Sequence, residues 1–184
     1  MSTLLRFASV ACVRGGRLLF DGLDIALAAG EALHVTGPNG SGKSSLIRLA
    51  AVLLRPAAGS IERGGRAALA DENLALDREL SLGRALAFWN GQVGAPMAAM
   101  GIEHLADVPV RLLSTGQARR ARLARVIASG APLWLLDEPL NGLDQDGAER
   151  LARAIADHRG RGGAVLAASH QSLAADWRRL ELRE

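Results

Sequence analysis

Hydrophobic and polar positions change period several times along this chain, and each change marks an element. Before the glycine-rich stretch, apolar and polar residues alternate in three runs, at 7–13, 17–20 and 23–27. A period of two suits antiparallel strands, with Gly15-Gly16 and Asp21-Gly22 as the turns between them. A short apolar strand over 32–36 comes next. The period then turns helical: within 44–54, Leu46, Leu49, Ala50 and Leu53 fall at i, i+3, i+4 and i+7, and Arg55-Pro56 stops the helix. Residues 60–70 read as two short strands around Gly64-Gly65.

From about 71 to 111 alanine, methionine and other helix formers dominate, broken at Gly91, at Gly94-Ala95-Pro96 and at Pro109. This is the pattern of a small helical insertion. Beyond it the order is a helical run to Ala128, a buried strand over 133–137 and a helix over about 146–159. A strand over 164–169 then leads into His170, and a helix-and-strand tail closes the chain. Strands alternating with helices imply an α/β fold, a mostly parallel sheet with flanking helices. To this are added an N-terminal antiparallel β-subdomain and the helical insertion. A length of 184 residues suits a single domain. Its α/β core covers about 1–70 and 112–184, and its helical subdomain about 71–111.

Composition narrows the picture slightly. Apolar residues make up 49% and charged residues 22%, ordinary globular usage. The uncharged stretch 126–136 contains Ser, Gly and Pro and falls far short of the roughly 20 apolar residues of a membrane span. The N-terminal residues show no signal-peptide pattern, so the chain is expected in the cytoplasm. A lone cysteine, Cys12, excludes an internal disulfide and reads as core. The net charge of +3, with no basic stripe, makes no case for nucleic acid. Of the 22 basic residues, only Lys43 is lysine. A compact, flexible cation has replaced the usual guanidinium fork at that one place.

That place is a motif. Gly37-Pro38-Asn39-Gly40-Ser41-Gly42-Lys43-Ser44 matches G-x-x-x-x-G-K-[ST] between a strand and a helix, the phosphate-binding loop of P-loop NTPases. Glycines let several backbone N–H groups converge on one phosphate, and the helix N-terminus adds its dipole. Lys43 is expected to reach the β- and γ-phosphates of ATP, and the Ser44 hydroxyl to ligate Mg2+. The apolar run of Leu133, Trp134, Leu135 and Leu136 ends in Asp137-Glu138, at the strand edge where ligands bind in open α/β sheets. Asp137 can hold the Mg2+ through water, and Glu138 can orient and deprotonate the attacking water.

Leu113-Ser114-Thr115-Gly116-Gln117 resembles the L-S-G-G-Q signature of ATP-binding cassette (ABC) proteins, with Thr115 in place of a glycine. The resemblance, which spans nearly the whole chain, implies an ABC-type nucleotide-binding domain that hydrolyses ATP. It implies a head-to-tail homodimer in which Leu113 to Gln117 act in trans on the partner's γ-phosphate. It also puts Asp144 in the D-loop, which communicates across the dimer, and His170 at the switch histidine beside the attacking water. Two positions depart from the family. Arg14 stands where an adenine-stacking aromatic is usual, and reads equally as a stacking guanidinium or a solvated turn residue. Ala70-Asp71-Glu72-Asn73 replaces the segment carrying the glutamine that links Mg2+ to the membrane part. Asn73 is the better substitute there, Glu72 the poorer.

Within the class the chain resembles the ATP-binding subunits of the cytochrome c maturation system, the CcmA family of haem exporter ATPases. The residues that carry this are the short cassette, Asp107-Val108-Pro109-Val110-Arg111 running into the signature, Trp134 in the strand before Asp137, and Gln171 after His170. Asn141-Gly142 departs from the family's Thr-Ala pair. The resemblance implies a CcmB-type integral-membrane permease and further cytochrome c maturation membrane proteins as partners. It implies a place on the cytoplasmic face of the bacterial inner membrane. No Cys-x-x-Cys-His is present, so the chain itself offers no covalent haem site. Other small ABC transporters, a soluble ABC ATPase and a P-loop kinase are the alternative readings.

Overall fold

The computed structural model describes residues 2–183. Two long strands, β1 (Thr3–Arg14) and β2 (Arg17–Ala28), form an antiparallel hairpin turning at Gly15-Gly16. β4 (Ala58–Arg63) pairs with the other edge of β1, giving the order β2-β1-β4. The main sheet is parallel throughout. It contains β3 (Ala32–Thr36), β5 (Ala67–Ala70), β6 (Leu133–Asp137), β7 (Ala164–Ala168) and β8 (Arg178–Glu181) in the order β5-β6-β7-β3-β8. Its helices are α1 (Lys43–Ala50), α4 (Thr115–Ala128) and α5 (Gln145–Gly160). α2 (Leu82–Asn90) and α3 (Gly94–Ala99), with short 3-10 turns at 103–105 and 110–112, supply the expected helical insertion.

Alternation along β6 explains how the layers pack. Leu133 and Leu135 face one buried cluster, shared with α1 and the antiparallel sheet. Trp134 and Leu136 face a second, shared with α2 to α5. With apolar side chains on both faces, β6 can only be a central, covered strand. α1 and α4 therefore lie on opposite faces of the sheet, and the loops after β3, β6 and β7 emerge at one shared edge.

Three expectations need correction. Asp21-Gly22 is no turn, because β2 runs through it. Val10 pairs with Leu23 and Cys12 with Phe20, so two residues of β2 oppose one of β1. This is a bulge, and Gly22 takes the positive φ (61°) it needs. The helix expected over 44–54 stops at Ala50. Val52 has φ 60°, with its N–H donating to Leu49 O (2.9 Å), and the Leu53 N–H donates to Arg48 O (2.9 Å). That is a Schellman ending with valine where glycine is usual, and it leaves Leu53 exposed. Finally, no helix forms over 171–177. Asp176 there is paired with Arg159 (2.7 Å), and Trp177 is buried.

In the second cluster Trp134 stacks on His158, with ring centroids 3.9 Å apart and planes 10° apart. Burial lowers the pKa of His158 from the ordinary 6.5, more than the accepting Pro132 carbonyl (3.2 Å) raises it. The folded chain thus binds the His158 proton less readily than the unfolded chain does. Stability from this site is complete above pH 6.5 and declines as the pH falls below it. The melting temperature is expected to drop between pH 7.5 and 5.5, and His158→Phe to make that drop smaller. An unchanged drop in the variant would count against this role.

Candidate functional site

The glycine-rich loop joins β3 to α1. Gly37, Gly40 and Gly42 all have positive φ (145°, 86° and 101°). A Cβ on Gly37 would lie 2.5 Å from Leu182 O and 2.7 Å from Ser41 Oγ, so the space is closed to any other residue. The first turn of α1 carries no acidic residue, which leaves its N–H groups and positive dipole end free for an anion. Lys43 is buried (7% exposed) and its ammonium curls back into the loop, donating to Gly37 O (2.8 Å) and Pro38 O (3.0 Å). Leu19 and Phe20 of the N-terminal hairpin pack against Gly42, so that hairpin borders the loop. Arg14, at the hairpin tip opposite Arg17, is exposed.

β6 delivers Asp137 and Glu138 to the same edge. Burial raises the pKa of Asp137, the Ser44 hydroxyl opposes this, and the neighbouring Glu138 charge adds to it. Asp137 Oδ1 is buried with no hydrogen-bond partner among the described residues. Glu138 has φ 47°, and its N–H donates to Ala168 O of β7 (2.8 Å). Its Oε2 accepts from the His170 N–H (3.4 Å), and its Oε1 lies 3.2 Å from His170 Nε2. Residues far apart in the chain, Ser44, Asp137, Glu138 and His170, thus meet at the ends of three parallel strands.

A cavity of about 510 Å³ opens over this edge, with Ser44, Asp137, Glu138, Asp71, Glu72 and Arg122 in its wall. The wall from the 71–74 loop is formed by Asp71, Glu72 and Leu74. Asn73 is not part of it, and its amide donates to Asp71 Oδ2 (3.2 Å).

The signature segment caps α4. Ser114 Oγ accepts from the Gln117 N–H (3.3 Å), while the Ser114 N–H donates to Gln117 Oε1 (2.9 Å). This reciprocal capping box fixes the helix start. α4 then presents two faces. Thr115 lines the Asp137–Glu138 cavity of its own chain. Ser114, Gly116 and Gln117 line a separate hollow of about 280 Å³ with Leu143 and Asp144.

Sequence reading missed what the arginines of α4 do. Arg120 donates to Asp144 (2.5 Å), Asp146 (2.8 Å) and Met100 O (3.1 Å), so it fastens the signature helix to the Asp144 loop and the helical insertion. Arg119 reaches Gly142 O (3.2 Å). Arg122 and Arg125 are nearly buried and donate to the Asp71 and Leu69 carbonyls, and Arg125 also lies over the Trp89 ring (4.9 Å). Their i, i+3 spacing along one helix was the available signal.

A divalent cation fits the chemistry of this edge. A buried carboxylate oxygen without a partner and a facing hydroxyl are hard oxygen donors. Among the described residues no three His, Cys, Asp or Glu side chains cluster as a metal cage.

Residues 20–141 match the family model described as ABC transporter. The chain is 60% identical over 181 residues to the cytochrome c biogenesis ATP-binding export protein CcmA of Sphingopyxis alaskensis, covering 95% of this chain and 93% of that protein. It is 54% identical to the protein of the same name from Zymomonas mobilis, covering 94% and 81%. Among solved structures, the ATP-binding subunit of an ABC transporter superposes with a TM-score of 0.86 at 20% identity, covering 98% of this chain and 88% of the other. A nucleotide-free ATP-binding cassette from an ABC transporter gives 0.77 at 18% identity, covering 92% and 82%.

Proposed function

Because the chain belongs to the ABC transporter family, and within it to the CcmA proteins of cytochrome c biogenesis, we propose that it is the ATP-hydrolysing subunit of a CcmAB-type exporter. The observation that carries this is the meeting of Glu138 and His170 beside Ser44 and Asp137, at the mouth of a phosphate-binding loop.

The phosphates of ATP lie against the N–H groups of 37–44, and Lys43 exchanges its two carbonyl contacts for β- and γ-phosphate oxygens. Ser44 and Asp137 would hold Mg2+, which would neutralise phosphate charge. Glu138 takes the proton of the water that attacks the γ-phosphorus, and the bond from that phosphorus to the β–γ bridging oxygen breaks. ADP and phosphate are the products. His170 contacts the γ-phosphate and holds that water against Glu138. Ser114 and Gly116 close the γ-phosphate of a second copy, so two ATP molecules lie between two head-to-tail chains. Arg14 offers its guanidinium plane to the adenine.

No helix among the described residues is long and apolar enough to cross a membrane. On this reading a separate CcmB-type membrane subunit supplies the route, and the chain sits against it on the cytoplasmic face of the inner membrane. ATP turnover drives a step in delivering haem to the periplasm for cytochrome c assembly. The tagged chain, expressed in its native bacterium and solubilised from membranes, should bring down a CcmB-type permease. Recovery of a permease of another family instead would replace the cytochrome c role while leaving the ATPase reading intact.

A further inference from the structure

We propose that His34, which does not touch the reacting groups, positions the peptide that faces the catalytic base. The proposal rests on the reading that Glu138 activates water with His170 beside it. His34 sits in the middle of β3 and is buried (2% exposed). Its strand neighbours Leu33 and Val35 face the opposite cluster, and packing alone would be served by an apolar side chain here as well. A buried imidazole is costly to desolvate unless a polar partner compensates.

One partner is present. His34 Nε2 lies 3.0 Å from the carbonyl oxygen of Ser169. A carbonyl only accepts, so Nε2 carries the proton in this contact. Nδ1 has no partner among the described residues. The Ser169 bond is therefore what this ring gains from being a histidine. Trp177 holds the ring edge-on, at 6.4 Å between centroids and 87° between planes.

The carbonyl of Ser169 and the N–H of His170 belong to one peptide unit, which is planar and rigid. Fixing its oxygen fixes the direction of its hydrogen. That hydrogen points at Glu138 Oε2 (3.4 Å). Ser169 is also held by its own N–H, which donates to Val35 O (3.2 Å), and its Oγ accepts from the Gln171 N–H (3.0 Å). His34 thus grips one end of a peptide plane whose other end orients the base. Without that grip the plane can rotate about its flanking bonds, and Glu138 loses a fixed donor along with the placement of the His170 ring.

Single-turnover hydrolysis and amide exchange in the full chain test this. His34→Leu should lower the rate of hydrolysis about tenfold with ATP affinity within about twofold of the parent. It should also raise amide exchange at His170. His34→Gln, which keeps a side-chain N–H donor, should recover most of the rate; His34→Met replaces the leucine variant if that one fails to fold. In a Glu138→Gln background, His34→Leu should slow hydrolysis no further. Parent-like rates in His34→Leu or His34→Met, or a glutamine variant as slow as either, would overturn the proposal. Parent-like turnover in Glu138→Gln alone would instead overturn the catalytic reading on which it rests.

Discussion

Glu138→Gln is expected to cut ATP hydrolysis by about 10²–10⁴-fold, the range for loss of a general base, while ATP still binds and holds two chains together. The amide has almost the shape of the carboxylate and retains an oxygen that can accept the His170 N–H. It cannot take a proton from water. Nothing in the phosphate-binding loop or at Asp137 is altered, so substrate contacts survive and only the chemical step is lost. In the proposed arrangement Ser114 and Gly116 of a second copy close on each ATP, so an uncleaved nucleotide would leave the pair locked. Gel filtration with ATP should then give a dimer for the variant and a monomer once nucleotide is removed. Turnover at the parent rate in purified variant would remove Glu138 from the role of base.

Lys43→Ala should weaken ATP binding by about 100-fold or more, because at least one charge-assisted bond to phosphate is lost inside a buried loop. Lys43→Arg should restore little of it. The loop encloses the ammonium tightly enough for it to meet both Gly37 O and Pro38 O, and a planar guanidinium needs a wider approach. This pair of variants also tests the meaning of the only lysine among 22 basic residues. If arginine served as well as lysine, its solitude would be an accident of composition. Isothermal titration with ATP reads both variants directly, and unimpaired binding by Lys43→Ala would argue against a phosphate role for the loop.

The sequence made the site legible wherever local covalent spacing decides geometry. The spacing of Gly37, Gly42, Lys43 and Ser44 dictates a loop before a helix, and a strand of four apolar residues puts Asp137 at its end. The same holds for β3, β6 and β7, whose apolar runs predict buried parallel strands. Legibility failed where one residue type serves two geometries. Gly22 with positive φ suits a turn or a bulge, and only the register against β1 decides between them. Val52 carries none of the marks of a helix end, and periodicity ran past it. The contacts of Arg122 and Arg125 were not legible, because their carbonyl partners, Asp71 and Leu69, lie more than 50 residues away in sequence. Asn73 matched its expected place only in order along the chain, since Asp71 and Glu72 took the cavity wall.

The left-handed backbone of Glu138 has a thermodynamic consequence. A non-glycine residue there carries a cost of about 1–2 kcal/mol that glycine would not, and the bond to Ala168 O holds the chain in that shape. Folding therefore favours glycine at 138, and the proposed role of Glu138 as base forbids it. Stability and turnover are opposed at a single residue, so selection for stability alone would drift toward a well-folded cassette that binds ATP and never lets it go.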